Sequence, residues 1–210
     1  RLQHAGHDVI VVEGRERPGG RAYQLRDRGF TWDTGPSLIT MPWVLEDTFA
    51  AGGLDVHSEL DLVQLDPFYR IFWEDEDRHL DFVPGPERMK EQIAKFSSRD
   101  AAAFDGFMAA LKPIYENGIV DAGQRSFERP GDLARVTPEL ARMGALRTLY
   151  GFVSGHFKDE RVREAFSFHS LFIGGDPFRV PAIYGALVYL QFLDKVWYAR
   201  GGVYSMVEAL

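Results

Sequence analysis

The sequence predicts an α/β fold with an added helical domain, and three observations predict it. A wholly apolar run, Val9-Ile10-Val11-Val12, follows Gly6-His7-Asp8; residues 68–83 alternate with period two; and beyond Pro86 the apolar positions recur at helical spacing. A short apolar run without alternation is the pattern of a parallel strand buried on both faces. Gly6 stands where a helix C′ glycine belongs, so Arg1–Ala5 reads as the last turn of a helix. The start lacks an initiator Met and an apolar leader region and is not read as a signal peptide.

Glycines and prolines punctuate Gly14 to Pro42 around a short alternating strand, Phe30-Thr31-Trp32-Asp33. Val44 to Ala51 reads as a helix stopped by Gly52-Gly53. Phe68 to Trp73 and His79 to Val83 flank the acidic connection Glu74–Asp77, which predicts a β-hairpin. Met89, Ile93 and Phe96, then Phe104, Phe107, Leu111 and Tyr115, predict helices. Pro130-Gly131 marks a loop, and Thr137-Pro138-Glu139 reads as the start of a helix reaching toward Phe157. Asp159 caps a further helix that Gly174-Gly175 ends. Ala182–Leu193 is the most apolar helix candidate, yet shorter than the about 18 residues that span a bilayer.

With 45% hydrophobic and 13% aromatic residues among 210, the chain has ample material for a core. Twenty-four basic against 31 acidic residues give a net charge of -7, without the basic block that a nucleic acid needs. The absence of cysteine removes disulfides, thiolate metal sites and thiol nucleophiles. The six histidines lack zinc-motif spacing, so no metal is expected.

A glutamate closing a buried strand, as Glu13 closes Val9–Val12, is placed to accept hydrogen bonds from an adenosine ribose in a dinucleotide fold. It equally fits an acidic residue that ends a strand at the surface. Arg17-Pro18-Gly19-Gly20-Arg21 follows: paired glycines permit close backbone approach to a diphosphate, and Arg21 supplies bidentate charge. Gly19, Gly20 and Arg21 on their own also suit an ordinary turn.

In order and spacing, Val9–Glu13, Gly19-Gly20-Arg21-Ala22, Gly29-Phe30 and Asp33-Thr34-Gly35-Pro36-Ser37 resemble the FAD-binding segment of the amine oxidase and carotenoid desaturase superfamily. Pro67–Arg70, Ala165–Leu171, Gly174–Phe178 and Trp197–Gly202 resemble the bacterial-type phytoene desaturases in particular. Members of that family are more than twice as long and open with a strand and a Gly-x-Gly-x-x-Gly turn that this sequence lacks. The resemblance therefore implies a fragment with a partial, Rossmann-like FAD-binding domain at residues 1–66, expected to fold poorly alone. It also implies the start of a substrate-domain sheet at 67–85, a helical substrate- and membrane-facing domain at 86–195, and a return toward the flavin and substrate at 196–210.

The implied cofactor is FAD, with Glu13, Gly19, Gly20, Arg21, Asp33, Thr34, Gly35 and Pro36 as its binding residues and Asp33–Pro36 near the isoalloxazine. The implied substrate is a C40 carotenoid precursor such as phytoene, losing two hydrogens from neighbouring carbons with hydride passing to FAD. No catalytic residue is assigned. Phe166, Phe168 and His169 are candidate channel-wall residues or core, and Arg147 is a polar channel residue or a solvated helix arginine. The same fold also serves a carotenoid ketolase or isomerase, a later-step desaturase, and prenyl-lipid carriers without flavin such as the Rab GDP-dissociation inhibitors. The family implies a quinone or oxygen as electron acceptor. It further implies a cytoplasmic enzyme peripherally attached to the inner face of the cell membrane. Ala182–Leu193 either docks on that surface or lies in the core.

Overall fold

The computed structural model describes the backbone of all 210 residues and every side chain except those at 124, 130 and 133. Helices and two-stranded antiparallel ribbons make up two compact units, residues 1–65 with 194–210 and residues 66–193.

In the first unit, the opening helical turn closes as a Schellman motif. His7 N–H bonds the Leu2 carbonyl at 3.1 Å and Gly6 N–H that of Gln3 at 2.9 Å, with Gly6 at φ 87°. Val9–Val12 then departs from the buried strand that its composition predicts. It pairs with no strand among the described residues, and Ile10, Val11 and Val12 are 81–90% exposed. A parallel strand is held by neighbours on both edges and helices over both faces. All three ribbons here are antiparallel and none includes this run.

Gln24–Asp27 and Phe30–Asp33 form a ribbon whose two connecting residues, Arg28 and Gly29, both have positive φ. That conformation matches the strands' own twist. The helix Pro42–Ala50 ends at Gly53, where Leu54 N–H reaches back to Phe49. Leu62–Gln64 pairs with Trp197–Ala199 from the far end of the sequence. Phe49, Val56 and Leu60 form the buried cluster beside them, with Leu62 and Met206 packed on it.

The second unit is mainly helical. Its hairpin pairs Tyr69–Phe72 with His79–Phe82, as the alternation predicts. The acidic connection of that hairpin holds Arg161, whose guanidinium meets Glu76 at 2.6 Å and Asp75 at 3.0 Å. Helices Pro86–Ala94, Ser98–Tyr115, Leu149–His156 and Glu160–Ser167 pack their apolar stripes inward, and Phe104, Phe107, Phe157 and Phe166 are fully buried. Ser97, Thr148 and Asp159 cap three of them, each accepting an N–H at 3.1 Å.

One helix differs from the sequence reading at both ends: it begins at Pro130-Gly131, read as a loop, and stops at Arg142, so that Leu149–His156 is a separate helix and none runs from Thr137 toward Phe157. A helix runs Pro130–Arg142 straight through Thr137-Pro138. Asp132 accepts the Arg129 N–H at 3.0 Å, and this earlier carboxylate cap, with proline at the first helical position, wins over the later threonine. Ala182–Gly185 and Ala186–Asp194 carry the most apolar stretch, with Ala186, Val188 and Leu190 in the core. No helix among the described residues is long and apolar enough to cross a membrane.

Asp100 is fully buried, and its Oδ2 accepts the N–H groups of Lys158 and Asp159 at 2.8 and 2.7 Å. Its Oδ1 is buried without a partner. Asp100→Ala leaves two interior donors unpaired but also removes a half-satisfied buried carboxylate, so the expected net loss is about 2 kcal/mol. Asp100→Asn, which retains an acceptor, loses less; urea unfolding of both variants checks the order.

Candidate functional site

Two groups of residues have the makings of a site, one in each unit. In the first unit, backbone contact joins the two glycine motifs. Ala22 N–H bonds the Gly19 carbonyl at 2.9 Å, folding Gly19–Ala22 into a turn with Gly19 and Gly20 at φ 119° and 57°. Gly35 lies so close to the Arg21 carbonyl that a Cβ there would collide with it. Thr34 donates its N–H and its hydroxyl to the Tyr23 carbonyl, at 3.0 and 3.1 Å. Gly19–Arg21 and Asp33–Gly35 are therefore neighbours, as one binding surface requires, with Pro36 next in the chain.

Open space surrounds Gly20, and Arg21 is exposed, with no hydrogen bond or ion pair at its side chain among the described residues. Glu13 is also exposed; its carboxylate accepts the Arg15 N–H at 2.9 Å, while Arg15 Nη1 donates to the Gly20 carbonyl at 3.2 Å. Glu13 thus closes no strand here, and a single arginine links its segment to the glycine turn.

Asp33 ends its strand with the carboxylate turned inward. Oδ2 accepts the Val203 N–H at 3.0 Å and the Tyr198 hydroxyl at 3.4 Å, and Oδ1 is buried without a partner. Burial, reinforced by the Asp33 charge, pushes the Tyr198 phenol upward, so it stays protonated. The sequence reading assigned Gly201-Gly202 to the family pattern but gave it no part in a site. The pairing with Asp33 joins residues remote in sequence, and no local periodicity signals it.

In the second unit, Tyr69, His169 and Gln191 meet among aromatic rings. The Tyr69 hydroxyl lies 2.8 Å from both His169 Nε2 and Gln191 Oε1, which are themselves 3.1 Å apart. Phe82 stacks on Tyr69 at 4.9 Å, and Phe172 stands edge-on to His169 at 5.6 Å. Burial pushes the His169 imidazole down to about 4, against a smaller opposing pull from the Gln191 carboxamide and the nearby Phe166 carbonyl. His169 Nδ1 makes no hydrogen bond of good geometry. Burial likewise drives the Tyr69 phenol well above its ordinary value. At neutral pH all three groups are uncharged.

Of the channel-wall candidates, Phe166 and His169 are fully buried. Phe168 is half-buried and lines an apolar groove of about 280 Å³ with Ile71, Trp73, Tyr150, Leu171 and Phe178. Arg147 lies in a turn rather than on a helix, exposed, with Nη2 bonded to the Gly151 carbonyl at 2.9 Å; it does not line this groove. No cluster among the described residues is suited to a metal ion.

Residues 1–210 match the family described as flavin containing amine oxidoreductase. The chain is 37% identical over its whole length to a lycopene-forming phytoene desaturase of Pantoea ananas, covering 42% of that protein. It is 36% identical to a neurosporene-forming phytoene desaturase of Cereibacter sphaeroides, covering 40% of it. It is 34% identical to a zeta-carotene-forming phytoene desaturase of Myxococcus xanthus, covering 41% of it. The chain thus spans about two fifths of the length of these relatives.

Proposed function

Because the chain belongs to the flavin-containing amine oxidoreductase family, we propose that it serves an FAD-dependent desaturase that converts phytoene, a C40 carotenoid precursor, toward lycopene. The observation that carries this reading is likeness to phytoene desaturases along the entire chain, rather than at one motif. The residues present suit the cofactor. An open left-handed glycine beside an unengaged arginine is a fitting cradle for a diphosphate, and Asp33 Oδ1 is a buried acceptor in want of a donor. Residues 1–66 are then the flavin-binding part of a Rossmann-like domain, in which Val9–Val12 is the strand whose partners lie outside these residues.

Bound FAD supplies the two-electron acceptor for hydride. The chain's own residues bind and order. Arg21 would set positive charge against the diphosphate, and Glu13 would accept from the adenosine ribose. Asp33–Pro36 would hold the isoalloxazine end of the cofactor. The C–H bonds being broken are not acidic, so the substrate needs an apolar, dry wall more than an acid–base pair. Phe168, Trp73, Tyr150 and Leu171 supply apolar wall, and the Glu164 carboxylate in the same groove is engaged by Trp73 Nε1 and Arg161. The three named relatives form different products at similar identity, so overall likeness does not set the number of desaturation steps.

An almost insoluble hydrocarbon substrate supports uptake from a membrane surface. Leu171, Phe172, Ile173 and Phe178, each 44–62% exposed, are better placed to meet one than the largely buried Ala186–Leu190. The inner face of the cell membrane is the location that suits such uptake, and a quinone or oxygen the acceptor that suits it.

The test is expression of the complete gene product in cells that make phytoene, read by pigment and by flavin absorbance; colourless cells containing folded, flavin-bearing protein overturn the reading. In the same protein Glu13→Ala weakens FAD by about 1.5–3 kcal/mol, the range for hydrogen bonds to a charged group. An unchanged affinity in a flavin titration means that Glu13 has no part in binding.

A further inference from the structure

We propose that Asp33 is a positioning residue: it fixes the Gly201–Gly202 turn against the loop Asp33–Pro36 and so holds the backbone of that turn beside the flavin. What the loop faces rests on the flavin reading above; the contact itself is geometry within one unit. Gln24 and Asp33 face each other at one rung of the ribbon. From that rung Gln24 Nε2 reaches the Gly201 carbonyl at 3.3 Å, and Asp33 Oδ2 takes the Val203 N–H at 3.0 Å. Arg26 Nε donates to Gln24 Oε1 at 2.8 Å, which orients the amide so that its nitrogen meets the turn. Two side chains therefore grip the turn at both ends.

The turn needs that grip. Gly201 and Gly202 have φ of 95° and 98°, and glycine in such a conformation has the most freedom to lose on ordering. Gly202 also has no room for a side chain, since a Cβ would sit 2.6 Å from Asp33 Oδ1 and 2.9 Å from Gln24 Nε2. The carboxylate sits at the N–H of Val203, directly before the short helix Tyr204–Ala209, where a charge-assisted bond is stronger than a neutral one. Tyr198 adds its hydroxyl to the same oxygen. The turn has bonds of its own, Gly202 N–H to the Ala199 carbonyl at 3.0 Å and Ser205 N–H to the Gly202 carbonyl at 3.1 Å, and Asp33 Oδ2 adds the anchor that ties it to the ribbon.

The experiment compares the complete gene product as wild type, Asp33→Ala, Asp33→Asn and Gln24→Ala. Trypsin cuts after Arg200, an exposed residue directly before the turn, and mass spectrometry follows the Arg200–Gly201 bond. Cleavage is expected to be about ten- to a hundredfold faster in Asp33→Ala, the change that goes with losing one hydrogen bond to a charged group. Asparagine keeps an acceptor for the Val203 N–H but not the charge, so Asp33→Asn is expected to fall between wild type and Asp33→Ala. Gln24→Ala, which folds with less risk, is expected to speed cleavage by a smaller factor. Equal cleavage in wild type, Asp33→Ala and Gln24→Ala overturns the proposal, as does Asp33→Asn cutting as fast as Asp33→Ala. The flavin reduction potential is the second readout. In Asp33→Asn, with an acceptor for the turn kept, removing a negative charge is expected to raise it. Cleavage slower than in Asp33→Ala with an unchanged potential upholds the grip on the turn and instead overturns the placement of this loop beside the flavin.

Discussion

Phe166→Ala is expected to destabilise the protein by about 3–5 kcal/mol, the range for deleting a buried phenylalanine, and, on the desaturase reading proposed above, to leave the product unchanged. Its ring is fully buried and stands 5.0–5.9 Å from those of Phe82, Phe104, Phe107 and Phe157. Removing it opens a cavity that four other aromatic side chains, rigid and already close-packed, cannot refill. Urea unfolding measures the loss, and chromatography of the pigments measures the product. Phe168, only half-buried and on the groove wall, is the contrast: Phe168→Ala is expected to change the product ratio at a smaller loss of stability. If Phe166→Ala keeps its stability and alters the product, Phe166 is wall rather than core.

Acid is expected to act through His169. Its folded-state value lies near 4 against 6.5 for a free imidazole, so the unfolded chain takes up the proton first. Above pH 6.5 both states are neutral and the native state keeps its full stability. As the pH falls from 6.5 toward 4 the unfolded state gains a proton that the buried ring does not, and stability falls by about 3 kcal/mol. Below pH 4 this contribution changes no further. Denaturation midpoints measured across that window, in wild type and in His169→Gln, isolate the histidine: the variant is expected to show a flatter profile. Identical profiles would mean that His169 is not the group responsible.

Much of the local structure was legible because local chemistry decides it. The hairpin at Tyr69–Phe82 follows from alternation, the ends at Gly6 and Gly53 from left-handed glycines, and the start at Glu160 from the Asp159 carboxylate. Composition misled at Val9–Val12, since an apolar run reports what a strand becomes when neighbours cover it and cannot supply them. The helix start at Pro130 was missed because Pro130-Gly131 reads as a loop on composition alone, whereas the Asp132 carboxylate accepts the Arg129 N–H and starts the helix there. Of the site, the adjacency of Gly19–Arg21 and Asp33–Gly35 lay within reach, being short-range. Beyond reach were the contacts of Asp33 with Val203 and of Tyr69 with His169 and Gln191, because both join segments separated by a whole unit or several helices.

The pairing of Leu62–Gln64 with Trp197–Ala199 has a bearing on the order of assembly. The first unit is built from both ends of this chain, and all of residues 66–193 lie between its two parts. During synthesis the strand at residue 62 emerges long before its partner exists, while helices of the second unit such as Pro86–Ala94 with Ser98–Tyr115 and Leu149–His156 with Glu160–Ser167 find a partner next in sequence. Closing so long a loop carries an entropic penalty that contacts repay only once both strands are present, whereas local helix pairing repays at once. The helical unit is therefore the part able to fold first on the ribosome. Asp33 and the turn at Gly201–Gly202 meet only after its residues have been made, which makes the joining of that turn to the ribbon a late event in the life of the chain.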